Sequence, residues 1–209
     1  MATAAEKTRY TPEQYLTLER KAAYKSEYRE GNVYAMTRAN RTHNLITGNV
    51  CAEIGRELLD RPCEVYVSDM RVRITATGLY TYPDVVVACG GPQFEDQELD
   101  TLLNPTLIVE VLSDSTEAYD RGVKFKHYRR LPSLQQYVLV SQDRVLVERF
   151  TRQGDEWLLA ECSDLQDVLR LPSIACEVSL RQIYAKVEFP AQTNCADPAA
   201  PEDTLPHSI

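Results

Sequence analysis

The chain predicts an α/β (α+β) fold, a mixed β-sheet flanked by helices, and three observations predict it. Val85-Val86-Val87, following Tyr82-Pro83-Asp84, and Leu107-Ile108-Val109-Glu110-Val111-Leu112 are apolar runs bounded by Gly90-Gly91 and Asn104-Pro105. Their length and β-branched content are those of strands buried on both faces. Ile46, Val50, Ile54 and Leu58 recur every four positions with Glu53, Arg56 and Glu57 on the far side, the stripe of a helix that covers such a sheet. With 209 residues, 44% of them hydrophobic, the chain can fill one substantial core and does not call for a second domain.

The elements follow in order. Thr11-Pro12-Glu13-Gln14 offers a hydroxyl N-cap, proline at the first helical position and glutamine at N3, so a helix runs to about Ala22. Lys25 to Arg29 and Val33 to Met36 flank Glu30-Gly31-Asn32 as a hairpin whose turn takes positive φ at Gly31 or Asn32. The striped helix spans Thr42 to Leu59. Cys63 to Val67 and Met70 to Ile74 alternate as half-buried strands, and Gly78 turns the chain toward the Asp84 strand. The segment from Gly90 to Leu103, with Glu95, Asp96, Glu98 and Asp100, reads as a solvated charge run. Asp114-Ser115-Thr116-Glu117 opens a basic helix from about Asp120 to Leu131, Gln136 to Val140 and Arg144 to Phe150 pair across Gln142-Asp143, Glu156 to Glu161 is a further strand, and Ser179 to Ala185 a short closing helix. Residues 1–10 are expected to be a flexible N-terminus, 11–189 the folded domain and 190–209 a disordered, Pro- and Ala-rich tail.

Each central apolar run holds one carboxylate, Asp84 or Glu110. Burying it unpaired costs several kcal/mol, on the order of 2–7 for an uncompensated polar group and more for a charge, so a cation, a Lys or Arg, or backbone donors must compensate. The first two together describe a metal-dependent hydrolytic centre. On the basic helix, Asp120, Lys124 and Tyr128 follow at four-residue steps and share a face, whereas Lys126 points about 200° away from Lys124 and groups with Arg129 and Arg130. That register expects the Lys124 ammonium within roughly 3 to 6 Å of the Asp84 or Glu110 carboxylate. By spacing alone, Asp84 and Glu110 read first as a structural ion-pair network with Lys124 and Arg121, Glu27 as a solvated strand residue, His43 as a cap or surface histidine, and Asp69 as a turn cap.

Pro83-Asp84, Glu110-Val111-Leu112-Ser113, then Asp120, Lys124 and Tyr128, with Glu27-Tyr28-Arg29-Glu30-Gly31, His43-Asn44 and Ser68-Asp69-Met70-Arg71-Val72 upstream, resemble the Uma2 family of restriction-endonuclease relatives from about Thr11 to about Phe189. The resemblance implies a restriction-endonuclease-like core of the PD-(D/E)XK superfamily and Mg²⁺-dependent phosphodiester hydrolysis, with Mn²⁺ able to substitute. It assigns catalysis to Asp84, Glu110 and Lys124, metal binding to Asp84, Glu110 and Glu27 with the Val111 carbonyl, and supporting or substrate-side places to His43, Asp69, Asp120 and Tyr128. The superfamily's Glu-x-Lys reads Glu110-Val111-Leu112 here, so the lysine's work is expected to have moved to Lys124.

The expected partner is nucleic acid, DNA first, with a homodimer supplying two sites for two strands. A net charge of −8 and pI near 5.0 weigh against tight unassisted binding to a polyanion, although Asp197, Glu202 and Asp203 lie in the tail and Arg121, Lys124, Lys126, Arg129 and Arg130 crowd one segment. The same features support an alternative, a catalytically idle nuclease fold that binds nucleic acid or protein. A two-carboxylate glycosidase fits poorly with a single tryptophan, Trp157. With no apolar run near the roughly 18 residues of a membrane span, no signal-like N-terminus, and six cysteines lacking any Cys-x-x-Cys, a cytoplasmic protein with reduced thiols, away from membranes, is expected.

Overall fold

The computed structural model describes residues 9–189, so the expected tail at 190–209 and nearly all of the expected N-terminal extension lie outside the described residues. Helix α1 (Pro12–Glu19) carries the full capping box between Thr11 and Gln14. Strands β1 (Ser26–Arg29) and β2 (Asn32–Ala35) form the expected hairpin, with positive φ at Glu30 and Gly31 rather than at Asn32. Helix α2 (Arg41–Glu57) buries Ile46, Val50 and Ile54. Strands β3 (Cys63–Val67), β4 (Arg71–Ile74), β5 (Leu79–Thr81), β6 (Val85–Cys89), β7 (Thr101–Leu102) and β8 (Leu107–Leu112) follow. A helical stretch comprises α3 (Glu117–Tyr119), a π turn (Asp120–Lys124) and α4 (Phe125–Tyr128). The chain closes with β9 (Gln136–Ser141), β10 (Val147–Gln153), β11 (Glu156–Cys162), β12 (Val168–Leu171), β13 (Cys176–Ser179) and α5 (Leu180–Ile183).

The main sheet is mixed, in the order β11-β10-β9-β8-β6-β3. Strands β8 and β9 are parallel and the other neighbours antiparallel. A parallel pair cannot be joined by a tight turn, so the chain between β8 and β9 must cross over the sheet, and the helical stretch from Glu117 to Tyr128 is that crossover. Alternation then sorts the central side chains into two cores. Val85, Val87, Val109, Val111, Val138 and Val140 pack with α2, β12, β13 and α5 on one face. Val86, Ala88, Ile108, Leu112, Tyr137 and Leu139 pack with Tyr128, Leu131 and Leu134 on the other. The strands after Asp84 and around Glu110 are therefore central and covered on both faces, as their composition requires.

A second sheet, β2-β1-β5-β4-β7, stands beside the first. Sequence patterning does not reach it fully, because β5 and β7 are too short to alternate visibly and β4 is buried where half-burial is expected. The acidic segment at 90–103 also departs from a solvated run. Glu95 accepts from Arg73 and from Tyr80, while Asp96 and Asp100 clamp Arg20 at 2.7 and 2.8 Å and Asp100 also meets the buried Arg71 at 2.8 Å. These pairs fix the segment so that Leu102 can be fully buried beside β4.

The expectation of reduced thiols is overturned at one pair: Cys63 and Cys89 form a disulfide. The antiparallel register of β3 and β6 sets these residues directly opposite each other, a pairing that spacing along the chain does not display. Among the described cysteines Cys51, Cys162 and Cys176 remain free. No described helix is long and apolar enough to cross a membrane.

The two-face burial carries a direct test. Ile46→Ala, at a fully buried position under the sheet, is expected to lower unfolding free energy by about 2–5 kcal/mol in a urea titration. Leu158→Ala, at a position 53% exposed, should change it by no more than about 0.5 kcal/mol.

Candidate active site

Glu110 shares its strand face with Ile108 and Leu112, the face turned toward the crossover helix. The β6–β8 register pairs Val86 with Ile108 and Val85 with Val109, so one further step brings Asp84, at the entrance to β6, across from Glu110. Asp84 is held there: its Oδ2 accepts the Val111 backbone N–H at 2.7 Å and lies 3.2 Å from His43 Nε2. His43 owes its position to the start of α2, where the Asn40 side chain accepts the His43 backbone N–H at 2.8 Å.

The crossover helix delivers the cation. Its central turn is a π turn, a form often found at functional sites, and both Asp120 and Lys124 are buried in it, whereas Lys126 is exposed. The Lys124 ammonium lies 3.0 Å from Glu110 Oε1, 3.1 Å from Asp120 Oδ1 and 3.4 Å from Glu27 Oε1. Tyr128 donates to Glu110 Oε1 at 2.8 Å, and Tyr137 donates to the Asp120 carbonyl at 3.1 Å. Glu27 arrives from the second sheet. Its Oε1 also accepts from Thr81, and its Oε2 accepts from Tyr119 at 2.8 Å.

Glu27, His43, Asp84, Glu110, Asp120 and Lys124 thus line one cleft of about 950 Å³. Tyr128 stands behind it, fully buried against Glu110. Asp69 is not brought in. Its side chain is 91% exposed and pairs with Lys25 at 3.1 Å, so it works neither as the turn cap that spacing suggests nor inside the cleft. Sequence reasoning also passed over Thr81 and Tyr119, which orient Glu27. Thr81 lies on a strand too short to recognise, and Tyr119 gives no signal apart from its place beside Asp120.

The charge balance is uneven. At the floor of the cleft four carboxylates, Glu27, Asp84, Glu110 and Asp120, face one lysine, Lys124, while Asp114, Lys25, Arg29 and Arg38 line the rest of it. Burial, reinforced by Asp120 and Asp84 and only partly offset by Lys124, pushes the Glu110 carboxyl up to about 8. Burial raises Asp120 as well. For Lys124, burial alone favours the neutral amine, but Glu110, Tyr128, Asp120 and Glu27 carry it well above the ordinary lysine range, so it is an ammonium.

The donor set suits a hard divalent cation. Asp84 Oδ1 and Glu110 Oε2 accept no hydrogen bond among the described residues, and Val111, whose carbonyl is a further oxygen donor, also borders the cleft. Glu27, with both oxygens engaged, serves Lys124 instead of presenting a free donor. Among the described residues no three His, Cys, Asp or Glu side chains already converge on a single metal position, consistent with Lys124 standing between Glu27, Glu110 and Asp120.

The chain is similar to several known proteins. The Uma2 family model, described as "Putative restriction endonuclease", matches residues 12–182. An uncharacterized protein of Synechocystis sp. is 40% identical over 152 residues, covering 72% of this chain and 86% of its own. A second from the same organism is 37% identical over 180 residues, covering 86% and 93%. The fold is that of a crystal structure from Anabaena variabilis titled as a putative nuclease belonging to DUF820, with TM-score 0.68 at 18% identity over 84% of this chain and 97% of that one.

The raised Glu110 carboxyl has a sign that can be measured. Between the unfolded carboxyl value, about 4.3, and about 8, the folded state holds a proton that the unfolded state has lost. Stability from this group is therefore full below the lower value and is lost as pH rises through the upper one. In buffer free of divalent cations the urea midpoint is expected to fall from pH 5 to pH 8, and Glu110→Gln to flatten that fall.

Proposed function

The chain belongs to the Uma2 family, and on that premise we propose that it is a metal-dependent endonuclease hydrolysing phosphodiester bonds of nucleic acid, with DNA as the expected substrate. The observation that carries this reading is the surplus of carboxylate over lysine at the cleft floor, where Glu27, Glu110 and Asp120 are buried and Asp84 half-buried with a single buried lysine, Lys124. Folding alone gains little from such a surplus, because unpaired buried charge is costly, whereas a divalent cation would relieve it.

Asp84 and Glu110 would hold the Mg²⁺, which Mn²⁺ can replace, through the oxygens that accept no hydrogen bond, with the Val111 carbonyl as the third protein donor. Bound there, the cation would supply Lewis-acid stabilisation of phosphate charge and lower the pKa of an attacking water. The Val111 N–H and His43 hold Asp84 in orientation. Tyr128 and Lys124 hold Glu110 by its other oxygen. As an ammonium, Lys124 suits orienting the water and offsetting charge on the phosphate, rather than taking the water's proton. Glu27 and Asp120 keep its ammonium in place. A homodimer would place two such sites against two strands. The alternative, a catalytically idle module, draws on the saturation of Lys124 by three carboxylates, and cleavage assays separate the two.

Asp84→Asn is expected to abolish Mg²⁺-dependent cleavage of plasmid and oligonucleotide substrates while leaving the urea midpoint near that of the parent. Unchanged cleavage would remove the catalytic reading. Lys124→Met, which removes charge stabilisation, should lower kcat by about 10²- to 10³-fold. Lys126→Met should only weaken binding slightly and in a salt-dependent way. Sedimentation at micromolar concentration tests the dimer, and a monomer alone would refute it.

A further inference from the structure

The cleft has two chemically distinct levels. Its floor is the acidic cluster, while its mouth, along the β1–β2 hairpin and the segment leading to α2, presents Tyr24, Lys25, Arg29, Tyr34 and Arg38. Tyr24 is 68% exposed and Tyr34 40% exposed. The Arg29 guanidinium lies 5.1 Å over the Tyr34 ring and 5.8 Å over that of Tyr119, so Tyr34 is braced in position rather than free to collapse onto the surface.

The cations of this mouth are mostly committed. Lys25 donates to the Ser68 carbonyl at 2.9 Å and pairs with Asp69, and Arg29 is engaged by the two rings. Arg38 has no ion pair or hydrogen bond among the described residues. Intact duplex is held chiefly by neutralising a run of phosphates. One uncommitted guanidinium above an acidic floor, in a chain of net charge −8, is poorly equipped for that. Aromatic faces bind by a different means: every nucleobase has a π-face, which is available to a tyrosine only when the base is unstacked.

We propose that Tyr24 and Tyr34 are stacking platforms for unpaired nucleobases, with Arg38 on the backbone, so that the cleft takes single-stranded or locally unwound nucleic acid in preference to intact duplex. This inference rests on the nucleic-acid reading of the same cleft and names its substrate class. It also accounts for an acidic protein handling a polyanion, since stacking replaces most of the missing phosphate contacts.

The test is fluorescence anisotropy of the full chain in EDTA with a labelled 15-nucleotide single strand and with the same sequence as a duplex. The single strand is expected to bind at least about tenfold tighter, with a shallow salt dependence of roughly one to three phosphate contacts. Tyr24→Ala and Tyr34→Ala should each weaken single-strand binding by about 5- to 100-fold, and Tyr24→Phe and Tyr34→Phe, which keep the ring, should restore it. Duplex bound as tightly as single strand, or alanine variants that bind like the parent, would overturn the proposal. Intact tyrosine-dependent binding without Mg²⁺-dependent cleavage of any substrate would support it while removing the nuclease reading.

Discussion

A single ammonium buried among three carboxylates is the constraint around which this molecule is assembled. Lys124 lies 3.0 to 3.4 Å from Glu110, Asp120 and Glu27, and each carboxylate comes from a different element. Taking such charges out of water costs several kcal/mol per ion unless geometry and additional hydrogen bonds repay it. The surrounding groups repay part of it: Tyr128 serves Glu110, and Tyr119 and Thr81 serve Glu27, while Tyr137 fixes the backbone of Asp120 through its carbonyl. Because Glu27 belongs to the second sheet and Glu110 to the first, the lysine also fastens the two sheets together at the cleft.

The topology explains why the lysine comes from a helix. Strands β8 and β9 are parallel, and a parallel pair needs a crossover. That crossover passes over the face of the sheet bearing Glu110, so a residue on its inward side reaches the carboxylate without any lysine on β8. The position two residues after Glu110 is instead Leu112, which is buried in the core beneath the helix. Charge pairing and packing are thus divided between helix and strand. The π turn sets Asp120 and Lys124 inward together.

The same cluster links stability to chemistry. A cleft holding more carboxylate than lysine is under electrostatic load, visible in the raised Glu110 and Asp120 carboxyls. A cation would unload it. The load is confined to the floor, while the mouth is aromatic and weakly cationic, so the net acidity of the chain describes the site poorly.

The sequence alone determined what depends on local periodicity and local chemistry. The Thr11 to Gln14 capping box, the four-residue stripe of α2, the hairpin at Glu30-Gly31, and the buried character of the Asp84 and Glu110 runs are all written within a few residues of each other. Helical register was enough to separate Lys124 from Lys126, because residues two apart on a helix cannot face the same way. Tertiary structure decided what depends on partners distant in the chain. It turned Glu27 toward Lys124 with Thr81 and Tyr119, left Asp69 outside the cleft, drew the acidic segment at 90–103 into ion pairs with Arg20, Arg71 and Arg73, and set Cys63 opposite Cys89. The physical reason is that a charged or thiol side chain carries no record of which distant strand will face it. Strand pairing selects that partner, and strand pairing follows from the burial of the whole core.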